Sequence, residues 1–212
     1  AKRWEAMTGT TILEGYGLTE TSPVVAANKP DSYQLGTIGQ PLSNTECKVI
    51  DESGNTLSNG EEGELCIRGP QVMREYWQSP EETSKVLDSD GWFKTGDIAI
   101  IQGDGFIRIV DRKKDMIIVS GFNVYPNEVE AALLAHPEII EAAVVAIPDP
   151  STGEAVKAFL VLAETSDLDD ETIRAFCKQS LMAYKVPHHY EYRRELPKTT
   201  VGKVLRRELR SD

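Results

Sequence analysis

Asp97-Ile-Ala-Ile-Ile-Gln-Gly-Asp-Gly-Phe-Ile-Arg-Ile-Val110 places two apolar runs on either side of a Gly-Asp-Gly turn signal. Short runs rich in isoleucine and valine, separated by such a turn, predict two neighbouring β-strands. The charged run Asp111-Arg-Lys-Lys-Asp115 follows directly and separates this stretch from a new apolar run. We therefore place a domain boundary here, with residues 1–112 before it and 113–212 after it.

Upstream of the boundary the pattern is mostly strand. Glu46–Ile50 and Gly63–Arg68 are further short apolar runs, and turn signals around Gly54 and Gly60 separate them. Pro80–Leu87 has acidic residues in its first turn and predicts a short helix. The short strands suggest a small barrel or sandwich, and we expect a β-barrel-like subdomain, with residues 1–25 as the end of something larger.

Downstream the predicted elements mix helices with strands. A strand over Met116–Val119 is followed by a helix that opens at Pro126 and stops at His136-Pro137. Two strands come next, and Asp170 is then expected to cap a helix that buries Ile173, Phe176, Cys177 and Leu181. The predicted fold class is α+β, a β-barrel-like subdomain followed by a small α+β domain.

Composition excludes several functions. The formal net charge of −11 disfavours binding to nucleic acid, which needs a basic surface. No apolar run reaches the ~20 residues that a membrane-spanning helix requires. The three cysteines lack metal-ligand spacing, and their odd number argues against a disulfide framework. We expect buried thiols and a reducing, cytoplasmic location.

The charge is uneven along the chain. From Lys185 onward, eight basic residues stand against four acidic ones, inside a protein that is acidic overall. The loop Leu196-Pro-Lys-Thr-Thr-Val-Gly-Lys203 lies in this segment, and Val204–Arg210 predicts a basic helix. A small polyanionic ligand would suit this segment. A solvated surface helix would account for the same charges.

The segment Gly15-Tyr-Gly-Leu-Thr-Glu20 has the residue types of a nucleotide site. Gly15 and Gly17 allow a close backbone approach, and Tyr16 offers a flat apolar surface to an aromatic ring. Thr19 and Glu20 offer a hydroxyl and a carboxylate, a pair that suits phosphate with Mg²⁺. A tight turn with a surface acid is the alternative interpretation.

Three later residues add polar groups of the same kind. Asp97, after Gly96, can accept hydrogen bonds from a ribose, or can stabilise a turn before a strand. Arg112 can bind a sugar hydroxyl or a phosphate, or can belong to a charged linker. Lys203, after Gly202, can neutralise charge that develops at a phosphoryl group, or can be a solvated lysine.

Taken in order, these segments resemble the adenylate-forming superfamily of acyl-CoA synthetases, luciferases and peptide-synthetase adenylation domains. Within it, residues 90–98 and 105–114 look like the signature of fatty-acyl-CoA synthetases. The resemblance covers nearly the whole chain and rests on four further segments: Glu14–Glu20, Val119–Glu128, Leu181–Pro187 and Pro197–Lys203.

The resemblance implies roles for residues near the start of the chain. Tyr16 would stack on adenine, with Gly15 and Gly17 beside the nucleotide. Thr19 would contact the phosphates, and Glu20 would hold Mg²⁺. The implied reaction has two steps, in which fatty acid and ATP form acyl-AMP and coenzyme A then displaces AMP.

The resemblance also implies roles for later residues. Asp97 and Arg112 would bind the ribose hydroxyls. Lys114 would be the hinge about which a mobile terminal domain rotates, Gly121 would line the pantetheine tunnel, and Lys203 would act in adenylation. Residues 1–112 would end the large AMP-binding domain, and 113–212 would be the mobile domain.

This sequence departs from the superfamily pattern in two respects. Asn123 stands where several relatives have a basic residue, which puts a charge contact with coenzyme A there in doubt. The superfamily's lysine-bearing phosphate loop, expected far upstream of Glu14, is absent, so we expect a carboxyl-terminal piece that is inactive alone. The missing amino-terminal domain would then be its partner.

Three alternatives stay open: a non-catalytic binding module, a fatty-acyl-AMP ligase and an aryl-CoA ligase. The expected location is the cytoplasm. A fatty-acid substrate, which partitions into bilayers, is compatible with peripheral contact at the inner face of the cytoplasmic membrane.

Overall fold

The computed structural model describes residues 1–200 and 202–210, and the chain divides into two compact units, residues 1–113 and 114–212. Each unit combines helices with open, mainly antiparallel sheets, which confirms the predicted α+β class.

The first unit contains two antiparallel sheets. Helix α1 precedes a three-stranded sheet of order β1-β2-β3, and helix α2 lies between the second and third strands of a four-stranded sheet of order β4-β5-β6-β7. The bounds are α1 Lys2–Thr8, β1 Gly15–Gly17, β2 Val24–Ala27, β3 Gln40–Pro41, β4 Glu46–Ile50, β5 Glu62–Arg68, α2 Pro80–Val86, β6 Phe93–Ile101 and β7 Ile107–Arg112.

Backbone hydrogen bonds join these two sheets. Ile38 N donates to Ile107 O at 2.8 Å, and Ile107 N donates to Gly39 O at 3.0 Å. Val25, Leu65 and Ile107 are fully buried and belong to one apolar core shared by both sheets. Within the described residues the sheets stay open, so the expected barrel-like subdomain is two joined sheets without closure.

Strand β6 begins at Phe93, earlier than the sequence predicts, and this changes the setting of Asp97. The register with β5 shifts between Glu64 and Cys66, and Gly96 lies opposite this shift with φ +72°. A glycine with positive φ is typical of a β-bulge. Asp97 therefore lies in the middle of a bulged strand and not in a turn before one.

The second unit has a five-stranded sheet of order β10-β11-β8-β9, with β12 pairing parallel to β11. Its long hairpin of β10 and β11 is the centre of the unit. The bounds are β8 Ile117–Val119, β9 Phe122–Val124, α3 Pro126–Leu134, β10 Ile139–Asp149, β11 Gly153–Leu162, α4 Asp170–Cys177, β12 His189–Tyr192 and α5 Arg206–Leu209.

Strand β10 is buried on both faces, which explains its run of small apolar residues. Ala142 and Val144 face the core that contains residues of α3 and α4, whereas Ala143 and Val145 face the opposite side. On that opposite side, Ala143 and Val145 pack with five further buried or half-buried side chains. These are Phe159, Val161, Leu196, Val204 and Leu209. Leu209 and the half-buried Val204 are thus part of this core.

Two predicted helix limits need correction. The cap of α4 is Asp169 and not Asp170, because the Asp169 carboxylate accepts from Thr172 N at 2.8 Å. The predicted basic helix over 204–210 is only the four residues of α5, because residues up to Leu205 belong to the preceding hairpin. Helix α3 ends at Leu134, just before His136 as expected.

All three cysteines carry free thiols, as their number predicts. Burial raises the pKa of Cys66 and of Cys177 to about 11, so both stay protonated and unreactive near neutral pH. Among the helices of the described residues, none combines the length and apolar character needed to span a bilayer.

Gly39 and Gly54 allow the close packing of the first unit to be tested. Their φ angles are nearly equal, +83° and +86°, but a Cβ on Gly39 would lie 2.0 Å from the backbone of Ala27, whereas a Cβ on Gly54 would meet nothing within 4 Å. We expect Gly54→Ala to cost about 1 kcal/mol of unfolding free energy, from backbone strain alone. We expect Gly39→Ala to cost about 3 kcal/mol or more, because the strand must also shift.

Urea unfolding of the two variants, followed by tryptophan fluorescence, measures this difference. Equal losses would show that the close approach of residue 39 to β2 contributes nothing to stability.

Candidate active site

Tyr16, Asp97 and Arg112 come together in the first unit although they are far apart in sequence. The Tyr16 hydroxyl on β1 donates to Asp97 Oδ2 on β6. Asp97 lies directly opposite Arg112 in the β6–β7 pair, and Arg112 Nε is 4.0 Å from Asp97 Oδ1. Side chains opposite each other in an antiparallel pair share a face. The sheets therefore assemble these three predicted residues into one cluster.

The electrostatics of the cluster keep Tyr16 as a donor. Burial raises the pKa of Tyr16 far above its usual value, and the hydrogen bond to the Asp97 carboxylate raises it further. The phenol therefore stays protonated. Asp97 is 9% exposed, whereas the Arg112 side chain is 61% exposed, so the guanidinium is open to a ligand and the carboxylate is held in place.

Gly17 has a structural role that the sequence does not reveal. Gly15–Gly17 is a short strand, not a loop, and a Cβ on Gly17 would lie 1.9 Å from Pro23 O. The close approach at Gly17 is therefore to the chain's own backbone. Gly15 is less crowded, with 3.4 Å to its nearest contact.

Glu20 lies in a 3₁₀ turn, Thr19–Thr21, that begins two residues after β1. Buried Thr21 fixes this turn, because its hydroxyl accepts from Leu18 N at 3.0 Å and is 2.7 Å from Pro23 O, to which it donates. The Glu20 carboxylate accepts a hydrogen bond at 2.8 Å from the hydroxyl of Tyr76. Thr19 is exposed on the same turn.

A cavity of about 300 Å³ opens beside Glu20. Its lining is rich in polar and charged groups, which suits an anionic or metal-bound ligand more than an apolar chain. The polar and charged lining residues are Glu20, Glu64, Tyr76, Lys85, Lys94, Thr95 and Lys113.

Glu64 and Lys113 form an ion pair in the wall of this cavity. Lys113 Nζ is 2.7 Å from Glu64 Oε2, and Gly96 N donates to Glu64 Oε1 at 3.2 Å. Glu64 is only 8% exposed, so Lys113 compensates a largely buried carboxylate. The pair connects the last residue of the first unit to β5, next to the bulge that carries Asp97.

Sequence reasoning missed Tyr76, Glu64 and Lys113. Nothing in their local pattern distinguishes them, since Tyr76 lies in an irregular segment and Glu64 occupies an ordinary strand position. Burial raises the pKa of Tyr76 to about 12, and the hydrogen bond to Glu20 acts in the same direction. Only the fold shows that these residues surround Glu20.

In the second unit, Lys203 lies at the end of a tight hairpin. Thr199 N donates to Lys203 O at 2.8 Å, Lys203 N donates to Thr199 Oγ1 at 3.1 Å, and Gly202 has φ +81°. Val201, inside the quoted loop, is outside the described residues. The Lys203 side chain is exposed and forms no ion pair with the part of its own unit that the structure describes.

Most of the basic tail is already paired within its own unit, which removes the argument that its excess charge indicates a ligand. At least five of the eight basic residues have acidic partners among the described residues. The pairs are Lys185–Glu128, Arg193–Glu191, Lys198–Glu141, Arg206–Glu130 and Arg210–Asp115, each with 2.6–2.7 Å between nitrogen and oxygen.

Gly121 and Lys114 have simple local settings. Ser120 and Gly121 both have positive φ, 50° and 84°, and Val119 pairs with Phe122, so they form a two-residue turn between β8 and β9. Gly121 is exposed, and a Cβ there would meet nothing within 4 Å. Lys114 is the first residue of the second unit, and its carbonyl accepts from Arg210 at 3.3 Å.

Arg206 and Lys203 provide a stability comparison within this tail. Arg206 is largely buried, bonds Glu130 through two nitrogens and lies 3.6 Å from Asp115. We expect Arg206→Met to cost about 2–4 kcal/mol of unfolding free energy, because it leaves the largely buried Glu130 carboxylate without its cation. Lys203→Met is expected to change it by less than about 0.5 kcal/mol. Chemical denaturation measures the unfolding free energy of both variants. Similar losses in the two would show that the ion pairs of Arg206 add no stability beyond that of an exposed lysine.

Two models of known protein families match this chain, one in each of its two units. The AMP-binding enzyme family matches residues 1–77, and the AMP-binding enzyme C-terminal domain matches residues 128–203. The chain belongs to the AMP-binding enzyme family, as its ordered motifs predict.

Similar proteins indicate which members it resembles. A long-chain-fatty-acid–CoA ligase from Salmonella typhimurium is 53% identical over 213 residues, and the alignment covers 100% of this chain and 38% of that protein. A feruloyl-CoA synthase from Amycolatopsis is 41% identical, over 95% of this chain and 41% of that protein. ATP-bound MatB from Rhodopseudomonas palustris has a TM-score of 0.94 at 35% identity, over 99% and 42% of the respective chains. This chain thus spans about two fifths of each relative's length.

Proposed function

We propose that this chain is the carboxyl-terminal part of a long-chain-fatty-acid–CoA ligase, a cytoplasmic enzyme that forms acyl-AMP and then acyl-CoA. The observation that carries the proposal is the Tyr16–Asp97–Arg112 cluster, which brings three separate motif segments to one place. Identity of 53% to a ligase of this name, over the whole chain, supports the choice of substrate class.

In this proposal the cluster binds the nucleoside of ATP. The Tyr16 ring packs on adenine, and Asp97 and Arg112 bind the ribose hydroxyls. Asp97 Oδ2 is engaged by Tyr16, so Oδ1 is the oxygen that would accept from a sugar hydroxyl. Thr19, exposed on the adjoining turn, would donate to phosphate.

Glu20 would hold Mg²⁺, which neutralises phosphate charge in such reactions. One carboxylate oxygen accepts from Tyr76, and the polar cavity beside it has room for a hydrated cation. Within the described residues, no group of three His, Cys, Asp or Glu side chains could hold a metal alone. Mg²⁺ would therefore bind through Glu20, water and the phosphates together.

The reaction proceeds by two displacements. A fatty-acid carboxylate oxygen bonds to the α-phosphorus of ATP, the bond to the β-phosphate oxygen breaks, and pyrophosphate leaves. The sulfur of coenzyme A then bonds to the acyl carbon, the bond to the phosphate oxygen breaks, AMP leaves and the thiol proton is released. Lys203 would stabilise the charge of the first step.

We also propose that residues 1–112 end the large AMP-binding domain and that 113–212 form a mobile domain, with Lys114 as its hinge and Gly121 beside the pantetheine arm. The family's phosphate loop and the fatty-acid tunnel would belong to an amino-terminal domain outside residues 1–212. The isolated chain is therefore proposed to be a non-catalytic module.

An aryl-CoA ligase is the second candidate, because the feruloyl-CoA synthase is 41% identical over nearly the whole chain. A fatty-acyl-AMP ligase, which would not use free coenzyme A, is the third. All three share the nucleotide site proposed above and differ in the acid or the acceptor.

The test of this function is AMP release by the complete protein that carries this chain. We expect AMP release to depend jointly on palmitate, ATP and coenzyme A, with ferulate a poor substitute. Preference for ferulate would favour the aryl-CoA ligase, and acyl-AMP formation without use of coenzyme A would favour the acyl-AMP ligase. Absence of AMP with every acid, beside an active control enzyme, would refute the proposal.

Lys203 and Lys114 allow the two steps to be separated. We expect Lys203→Ala to slow acyl-AMP formation about 100-fold or more, the cost of losing a charge-stabilising group, while thioester formation from supplied acyl-AMP is largely kept. Lys114→Pro should show the reverse selectivity, because a fixed φ restricts rotation at the hinge.

Lys178, an exposed lysine at the end of α4, serves as the matched control, and Lys178→Ala should leave both steps unchanged. Equal loss of both steps in the Lys203 variant would contradict a role confined to adenylation.

A further inference from the structure

Tyr76 contacts Glu20 from a segment that no predicted role includes. Its hydroxyl donates to Glu20 Oε1 at 2.8 Å, and Met73 N donates to the backbone carbonyl of Glu20 at 2.8 Å. The segment 73–76 therefore holds Glu20 twice, once through its main chain and once through its carboxylate. The main-chain bond fixes where residue 20 lies, and the hydroxyl fixes how its carboxylate is turned.

Tyr76 is itself fixed by the start of α2. Tyr76 N donates to Thr83 Oγ1 at 2.9 Å, and the Thr83 hydroxyl donates to Ser79 O at 2.9 Å. Ser79 N in turn lies 3.2 Å from Tyr76 O, to which it donates. These bonds hold the main chain of Tyr76, so its hydroxyl reaches Glu20 from a backbone of defined position.

The contact restricts the chemistry of the carboxylate. A glutamate side chain has several rotatable bonds, and a free one would sample many orientations in a cavity of about 300 Å³. Tyr76 engages Oε1, so Oε2 is the oxygen left to bind a cation. Partners of this kind orient metal-binding carboxylates.

We propose that Tyr76 is a positioning residue that orients the Glu20 carboxylate for Mg²⁺. The proposal rests on the function assigned to Glu20 above. A merely structural Tyr76 would satisfy a half-buried carboxylate, and its loss would lower stability or all nucleotide binding alike. A positioning Tyr76 acts selectively on the part of nucleotide binding that depends on metal.

The test is Tyr76→Phe in the complete protein, with Tyr192→Phe as the matched control. Tyr192 makes the same kind of bond, its hydroxyl lying 2.6 Å from Asp170 Oδ1, but within the second unit. Calorimetry compares ATP binding in Mg²⁺ and in EDTA, and steady-state assays give the Mg²⁺ concentration for half-maximal activity. Thermal unfolding shows whether each variant is folded.

For Tyr76→Phe we expect the gain in ATP affinity on adding Mg²⁺ to fall about tenfold, with a matching rise in the half-maximal Mg²⁺ concentration. Affinity for ATP in EDTA, and for AMP, should stay within about twofold of the parent because the nucleoside contacts are elsewhere. Tyr192→Phe should match the parent throughout. An unchanged Mg²⁺ dependence in Tyr76→Phe, or an equal loss with and without metal, would overturn the proposal.

Glu20→Gln separates this inference from the function on which it rests. If Glu20→Gln leaves the Mg²⁺ dependence intact, the metal role of Glu20 itself fails. If Glu20→Gln removes that dependence and Tyr76→Phe does not weaken it, only the role of Tyr76 fails. If Tyr76→Phe unfolds at a temperature well below that of the Tyr192→Phe control, Tyr76 has a structural role. That result also counts against the proposal.

Discussion

Two backbone hydrogen bonds at Ile107 hold the candidate site together. They join the β7 edge of the four-stranded sheet to Ile38 and Gly39, and residue 39 continues directly into β3. Together with the apolar core that both sheets share, this connection brings β1 with Tyr16 next to β6 with Asp97. The glycine at 39 serves the neighbouring pairing with β2, because a Cβ there would lie 2.0 Å from the backbone of Ala27. The site is therefore a consequence of how two small sheets meet.

Sequence patterns predicted much of this protein where the signal is local. Strand and helix order, the stop before His136 and the free cysteines follow from periodicity, turn residues and counting. The patterns missed the start of β6, which pairing with distant β5 sets at Phe93, and they placed the cap of α4 one residue late, at Asp170 instead of Asp169. They could not find Tyr76 or Glu64, because the contacts of these residues cross dozens of positions.

Charge shows a similar limit of local patterns. The excess of basic residues from Lys185 onward resembles an anion-binding tail, yet four of them pair with acids supplied by earlier parts of the chain, such as α3 and β10. Lys203 is exposed at the end of a tight hairpin, and several other cations of the tail already have acidic partners. The hairpin thus gives the Lys203 ammonium group a defined position, and the charges of several neighbouring basic residues are already compensated.

The burial of β10 on both faces has a consequence for protein synthesis. Its second face stays uncovered until Leu196 and Leu209 have left the ribosome, since these late residues supply the cover. The same short tail carries Lys203. A nascent chain terminated early would thus lack this lysine and also expose an apolar strand surface that chaperones and proteases recognise. Loss of this lysine by truncation is therefore coupled to loss of side chains that cover this face of β10.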